Sequence, residues 1–359
     1  MLVVFAGGGT GGHIYPGVAV ARALVRGKPG LSVEFWGSGR PLETEILRKE
    51  GLTCRSLPSA PLPPSPLGAP RFAYALVAGW LAARRLVKRL GVSAVVGLGG
   101  FSSYAPVRAA SGLGLPTFLL EQNAVPGVAN VRLARRALLV CLSLPDSASR
   151  LPSRAKWAVT GNPLRREIVD AAASSLYSPE GAILVLGGST GAVGLNNLVV
   201  EAAKSLAESR RPIIHQTGSA DIGRVRGAYQ AAGATAQVAA YIDDMPSAYR
   251  SAALVIARAG GTTLSELALF GLPAILVPYP HHKDRHQVEN ACVFTRRGAA
   301  EIIDQTKASG RDLAAAAKAL LSAPERLLAM HDAAKTLARP DASETVAAEI
   351  LKAIENPPL

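Results

Sequence analysis

The chain of 359 residues has room for two domains of roughly 150 residues, and 49% hydrophobic content supplies two buried cores, which excludes disordered, collagen-like and disulfide-scaffold polymers. Three widely spaced cysteines (Cys54, Cys141, Cys292) form neither a disulfide framework nor a Cys-x-x-Cys site, so a cytosolic chain is expected. The formal net charge of +13 is one-sided: residues 1–163 hold 19 Lys and Arg against 6 Asp and Glu, and the remainder holds 20 of each.

A one-sided basic field suits a polyanionic partner. Aromatic residues are only 5% and no nucleic-acid-binding motif is present, so the expected partner is an anionic membrane surface and not nucleic acid. No cationic segment precedes the first apolar run, which ends at Gly7, and no signal peptide is expected. The longest charge-free apolar stretch outside the glycine-rich segments, Phe72 to Ala83, falls short of the about 20 residues that a spanning helix needs.

In chain order, a strand at Leu2 to Ala6 leads through a glycine-rich turn to a helix from Pro16 with Val18, Ala21, Leu24 and Val25 on one face. Strands at Ser32 to Trp36, Ala94 to Leu98, Thr117 to Leu120 and Leu138 to Leu142 alternate with helical stretches, which predicts a parallel α/β sheet. The six prolines between Pro58 and Pro70 predict a surface loop. In Arg71 to Leu90, Phe72, Leu76 and Trp80 share a helical face and Arg84, Arg85, Lys88 and Arg89 follow. That pattern fits a helix in a membrane interface and equally one that covers the sheet.

After Gly161-Asn162-Pro163 the pattern restarts with strands at Ala182 to Leu186, Pro212 to Gln216, Ala236 to Ala239, Leu254 to Ala257 and Ala274 to Val277. The expected architecture is two tandem, doubly wound α/β domains, residues 1–163 and 164–340, with a last helix in 341–359 that could pack on either.

Gly7-Gly8-Gly9-Thr10-Gly11-Gly12-His13 joins a strand to a helix, where glycines let backbone N–H groups approach an anion at the helix N-terminus. It also spells GxGxxG. A dinucleotide site would need an acid at the end of the second strand, where Trp36-Gly37 stands. Gly187-Gly188-Ser189-Thr190-Gly191 takes the equivalent place in the second half. It matches a hydrolase elbow, with Asp243 and His281 following in hydrolase order, but two such turns, one lacking a serine, fit a pair of anion loops better.

Thr263 and Glu266, in the turn from Arg258 to Glu266, form a capping-box pattern; Glu266 is equally placed to accept from ribose hydroxyls. His282 and His286 have metal-ligand spacing without a third ligand, and no Asp-x-Asp pair occurs. Sugar or phosphate recognition is therefore expected there, without a metal.

Together these turns resemble the GT-B glycosyltransferases, and among them family 28. The similarity runs through GGGTGGH at Gly7 to His13, GGF at Gly99 to Phe101, EQNAVPGVAN at Glu121 to Asn130, GNPLR at Gly161 to Arg165, GGSTGA at Gly187 to Ala192, the turn ending at Glu266, and HKDRHQVENA at His282 to Ala291. The resemblance implies two Rossmann-like domains facing a cleft. It also implies an inverting transfer of N-acetylglucosamine from UDP-GlcNAc to the C4 hydroxyl of undecaprenyl-pyrophosphoryl-MurNAc-pentapeptide, lipid I, in peptidoglycan synthesis.

On this resemblance Arg165 and Ser189 hold the donor diphosphate and the backbone near Ile242 reads uracil. Gly261, Thr262, Thr263, Leu264, Ser265 and Glu266 grip phosphate and ribose, Gln287 binds the sugar, and Thr10, Gly11, Gly12 and Asn123 complete the donor site. His13 is the implied base, with Glu121 as alternative base or acceptor ligand; no metal or other cofactor is implied, and the place of work is the cytoplasmic membrane face. The chain departs from the family pattern at Leu120, where a histidine is usual, at Thr190 for glutamine, and after Gly100. Other GT-B enzymes, including lipid glycosyltransferases and UDP-GlcNAc epimerases, share the turns.

Overall fold

In the computed structural model the described residues are all of 1–359 except Leu62, Pro64, Ser189, Thr190, His282, Lys283 and Pro357, Pro358 and Leu359, together with the side chain of Pro66. The chain divides into two compact units, Met1–Arg165 with Arg339–Leu359, and Arg166–Ala338.

The first unit is built on seven strands, β1 (Leu2–Ala6), β2 (Ser32–Gly37), β3 (Cys54–Ser56), β4 (Val92–Gly97), β5 (Thr117–Glu121), β6 (Leu139–Leu142) and β7 (Trp157–Val159). They pair in the order β3-β2-β1-β4-β5-β6-β7, every pair parallel. Helices α1 (Gly11–Gly27), α2 (Pro41–Lys49), α3 (Ala69–Leu90), α4 (Phe101–Ser111) and α5 (Val128–Leu133) connect them. The period-2 alternation of β1 splits the core: Val3 and Phe5 join one cluster with Ile14, Val18 and Leu24 of α1, while Val4 and Ala6 join another with Ala83 and Val87 of α3.

The second unit repeats the plan. Helices α6 (Arg166–Ala173), α7 (Val193–Glu208), α8 (Ile222–Ala231), α9 (Met245–Ser251), α10 (Gly261–Phe270), α11 (His286–Arg296), α12 (Gly310–Leu321) and α13 (Pro324–Lys335) accompany six strands. These are β8 (Ala182–Leu186), β9 (Ile213–Gln216), β10 (Ala236–Ala239), β11 (Ala252–Ala257), β12 (Ala274–Leu276) and β13 (Ala300–Ile302), in the order β10-β9-β8-β11-β12-β13 and again parallel. The last helix, α14 (Ala342–Glu355), belongs to the first unit, where Val346, Ala347, Ile350 and Ala353 enter the same cluster as α1.

Three expectations change. The first helix begins at Gly11, not Pro16, and contains Pro16. The N–H that proline lacks would have reached back only to Gly12, in the first turn, so one bond is lost and the helix survives. The proline-rich segment turns helical before its end, because Pro66–Gly68 form a 3-10 turn and α3 starts at Ala69 with Pro70 in its first turn, where proline is pre-organised. On α3, Phe72, Leu76 and Trp80 are half-buried, whereas Gly79, Ala83 and Val87 are buried against the unit. The apolar side chains that α3 turns to solvent are Tyr74 (75% exposed), Val77 (55%) and Leu81 (39%), in line with exposed Arg85 and Lys88.

Ile350 is fully buried, so Ile350→Ala should cost the first unit about 2–5 kcal/mol. The expected outcome is a lower melting temperature for the transition that exposes Trp36; an unchanged one would place α14 outside that core.

Candidate active site

A parallel sheet offers a ligand site where its strand order reverses, because the loops leaving two neighbouring strands there diverge and open a crevice at the carboxyl edge. The reversals fall between β1 and β4 in the first unit and between β8 and β11 in the second. Each is lined by glycine-rich segments singled out from the sequence.

In the first unit Gly7, Gly8 and Gly9 all have positive φ (113°, 142° and 96°). A Cβ at Gly7 would press on the Gly99 carbonyl and on Ser103, so the loop after β1 lies directly on the loop after β4. Thr10 is the exposed N-cap of α1 and makes no side-chain cap, so the first-turn N–H groups at Gly11 and Gly12 are not covered by a Thr10 hydroxyl.

His13, half-buried in that first turn, sets Nδ1 3.4 Å from the Gly8 carbonyl. A carbonyl only accepts, so this contact is a hydrogen bond in the tautomer that carries its proton on Nδ1. Nε2 faces the second loop, 3.5 Å from where a Cβ at Gly99 would stand.

Glu121 ends β5 and is 3% exposed. Its Oε1 accepts from the Asn123 N–H (3.0 Å) and the Asn123 amide (3.4 Å), and its Oε2 from the Gly127 N–H (2.9 Å) and the Asn130 amide (2.8 Å). Burial pushes the carboxyl above the usual carboxylate range, against the pull of these four donors. The arrangement spends Glu121 on folding the segment between β5 and α5.

Trp36 and Gly37 indeed close β2, but a carboxylate does reach that place from α2. Glu43, fully buried, accepts at Oε2 from the N–H groups of Ser38 (2.9 Å), Gly39 (2.9 Å) and Arg40 (3.2 Å), and its other oxygen lies against Gly8 and Gly37. Its Oε2 is committed to loop amides and the whole carboxylate is buried, so Glu43 does not present itself at the surface as a ribose acceptor would. Arg165 closes the first unit with its guanidinium 4.7 Å from the centre of the Tyr15 ring.

In the second unit the glycine loop follows β8, with Gly188 and Gly191 at positive φ. Ser189, the expected diphosphate ligand, lies outside the described residues, as do Thr190 and His282.

Across the reversal, α10 begins at Gly261 with Gly260 as N-cap, so Thr263 is the third helical residue and the expected capping box does not form. Glu266 sits in the second turn, half-buried, and accepts from the Tyr249 hydroxyl at 2.7 Å. Leu264 is buried in the core and can offer only its backbone, while Thr262, Thr263 and Ser265 are half-buried, Ser265 donating to the Gly261 carbonyl. Gln287, in the first turn of α11, accepts from the Tyr279 N–H at 2.9 Å. His286 pairs with Asp284 at 2.7 Å, and the described residues hold no group of three His, Cys, Asp or Glu suited to a metal.

Two polar residues carry no role in the sequence reading. Arg258, at the end of β11, is buried, donates to the Val277 carbonyl (2.8 Å) and Gln305 (2.6 Å), and burial lowers its guanidinium to about 10. Gln216, at the end of β9, joins the glycine loop to the Ile242 segment by two hydrogen bonds. A polar residue closing an apolar strand over a glycine turn was the available signal.

Two doubly wound units, each with a glycine loop at its strand-order reversal, define the GT-B glycosyltransferase architecture. Two family models match, glycosyltransferase family 28 N-terminal domain over residues 3–141 and glycosyltransferase family 28 C-terminal domain over 182–346. The chain belongs to glycosyltransferase family 28.

Among similar proteins, the UDP-N-acetylglucosamine--N-acetylmuramyl-(pentapeptide) pyrophosphoryl-undecaprenol N-acetylglucosamine transferase of Geobacter sulfurreducens is 39% identical over 98% of both chains. The transferase of the same name from Myxococcus xanthus is 38% identical over 97% of this chain and 91% of its own. The crystal structure of MurG from Acinetobacter baumannii superposes with a TM-score of 0.79 at 30% identity, over 98% of this chain and 99% of that one. A Listeria monocytogenes structure described as a putative UDP-N-acetylglucosamine 2-epimerase shares the fold alone, with a TM-score of 0.70 at 14% identity.

Glu266 does not cap α10 but accepts from the buried Tyr249 hydroxyl, so Glu266→Ala should lower the melting temperature by no more than about 5 °C while weakening UDP binding by about tenfold or more. Calorimetry beside a thermal melt checks this; a lower melting temperature at unchanged affinity would make the carboxylate structural.

Proposed function

We propose that this chain transfers N-acetylglucosamine from UDP-GlcNAc to the C4 hydroxyl of the MurNAc residue of lipid I, with inversion, giving lipid II for peptidoglycan synthesis. The observation that carries the reading is similarity over 98% of both chains to a transferase named for that donor and acceptor, which spans both units and both glycine loops. The first unit takes the acceptor and the second the donor.

The step itself is one displacement. The acceptor hydroxyl attacks the anomeric carbon, the bond to UDP breaks, the hydroxyl proton passes to a base, and the diphosphate keeps the bonding electrons. His13 suits the base: Nδ1 is set toward the Gly8 carbonyl, and Nε2 faces the loop at Gly99. The N-terminus of α10 supplies fixed N–H donors for the departing charge, and Glu266, already a hydrogen-bond acceptor for Tyr249, suits a ribose hydroxyl. No metal is assigned a role in this scheme.

Among the described residues no helix is long and apolar enough to cross a membrane. We assign the chain to the cytoplasmic membrane face through α3, where Tyr74, Val77 and Leu81 form an exposed apolar stripe beside Arg85, Lys88 and Arg89. The basic excess of residues 1–163 supports this placement on the acceptor unit. The reading leaves no part for nucleic acid.

Purified protein given UDP-GlcNAc and a lipid I analogue should form the disaccharide-lipid with and without EDTA; release of free sugar without acceptor would favour an epimerase. His13→Ala should lower kcat by about 100-fold or more at unchanged UDP affinity, and normal turnover would remove it as base. Replacing Tyr74, Val77 and Leu81 by Ser should reduce sedimentation with vesicles rich in anionic lipid; undiminished binding would move the membrane contact elsewhere.

A further inference from the structure

Gln216 is the last residue of β9 and only 5% exposed, yet it is polar. Its Nε2 donates to the Gly188 carbonyl at 2.9 Å, and its Oε1 accepts from the Ile242 N–H at 3.1 Å. Its own carbonyl accepts from the Gly187 N–H at 3.3 Å. One side chain and its backbone thus hold the glycine loop after β8 and, by the opposite end of the amide, the segment after β10.

The surroundings keep this residue in place. Thr217 and Gly218 donate to the carbonyls of Ala239 and Ala240, so the turn after β9 is already fastened to the segment that leads to Ile242. Behind it, buried His215 stands between the Tyr229 hydroxyl (3.0 Å) and Asn196 Oδ1 (3.2 Å), and the Asn196 amide donates to the Thr217 carbonyl at 3.0 Å. Burial lowers His215 to about 3, so it stays neutral at working pH and acts as a fixed link. A Cβ at Gly191 would press on the Thr217 carbonyl, so the glycine loop lies directly on this turn.

The glutamine amide donates to the Gly188 carbonyl at one end and accepts from the Ile242 N–H at the other. Glutamate offers two acceptors and would set one against the Gly188 carbonyl; methionine offers neither function.

We propose that Gln216 is a positioning residue of the donor site, which holds the loop that takes the diphosphate at a fixed distance from the segment that faces the base. The proposal rests on the donor-site reading above. Two contact regions held in register meet both ends of one nucleotide at once, and the gain belongs to the linked ligand, not to either fragment. The Ile242 N–H is turned onto Gln216, so contact with the base falls to the carbonyl of this segment or to a neighbouring residue.

The test is titration of UDP, uridine and inorganic pyrophosphate separately, by calorimetry or NMR, into wild type, Gln216→Met and Gln216→Glu, with thermal melts alongside. In Gln216→Met, UDP should bind about tenfold or more weakly, whereas uridine and pyrophosphate should each change less than about twofold. The KM for UDP-GlcNAc should rise with kcat nearly unchanged. Gln216→Glu, the closer isostere, should likewise lose UDP more than uridine and serves where the methionine variant folds poorly. Unchanged UDP affinity, or an equal loss for UDP and uridine, would overturn the positioning role while the donor site stands. Wild-type protein that fails to bind UDP would overturn the donor-site reading and this role with it.

Discussion

Main-chain loops that touch one another at the strand-order reversal are the constraint on which the rest of the structure depends. After β1 the chain must turn away over the loop that leaves β4, and Gly7 lies so close to the Gly99 carbonyl that no Cβ fits. After β8 a similar close approach occurs on the side away from the reversal, with Gly191 against the Thr217 carbonyl in the loop after β9. Glycine meets this requirement because it occupies positive φ without steric cost and lets backbone meet backbone. The loops after β1 and β11 then start α1 and α10 at the carboxyl edge of each sheet, where helix N-termini favour an anionic ligand.

The interior of both sheets was legible because β1, β8 and β11 are continuous apolar runs, the signature of strands covered on both faces. The strands β3, β7 and β13 were not. Each has three residues and lies at a sheet edge, so neither length nor alternation marks it. Helix α3 shows a second kind of ambiguity: its sequence carries apolar residues on more than one face, and packing decides which is covered. Gly79 lets the Pro58 carbonyl rest on the helix, which draws that face inward and leaves Tyr74 and Val77 outside.

Of the candidate site, glycine loops and helix starts could be read, whereas side-chain commitments could not. Thr263 and Glu266 match the spacing of a capping box, yet α10 begins at Gly261, which moves both residues past the cap and leaves Glu266 for other partners. Spacing cannot show where a helix starts when a Gly-Gly pair precedes it, because either glycine serves as N-cap. Gln216 was passed over for a related reason: its two partners come from loops 28 and 26 residues away in sequence, and only the fold brings them to one amide.

The contrast between His13 and Glu121 follows from the same accounting of partners. A base must hold an accessible lone pair in its resting state and be stabilised when it takes the proton. Glu121 has accessible affinity for protons, since burial raises it, but its oxygens face four donors inside the unit. Protonation there would set an O–H against an N–H and loosen the segment from Asn123 to Asn130. His13 places Nδ1 toward the Gly8 carbonyl, and in the Nδ1–H tautomer a proton arriving at Nε2 disturbs no bond to that carbonyl. The resulting imidazolium would stand beside the loops proposed to meet a pyrophosphate-bearing acceptor, whose negative charge favours the cation as it forms. The carboxylate thus shapes the segment, and this difference is what favours the imidazole as the proposed base.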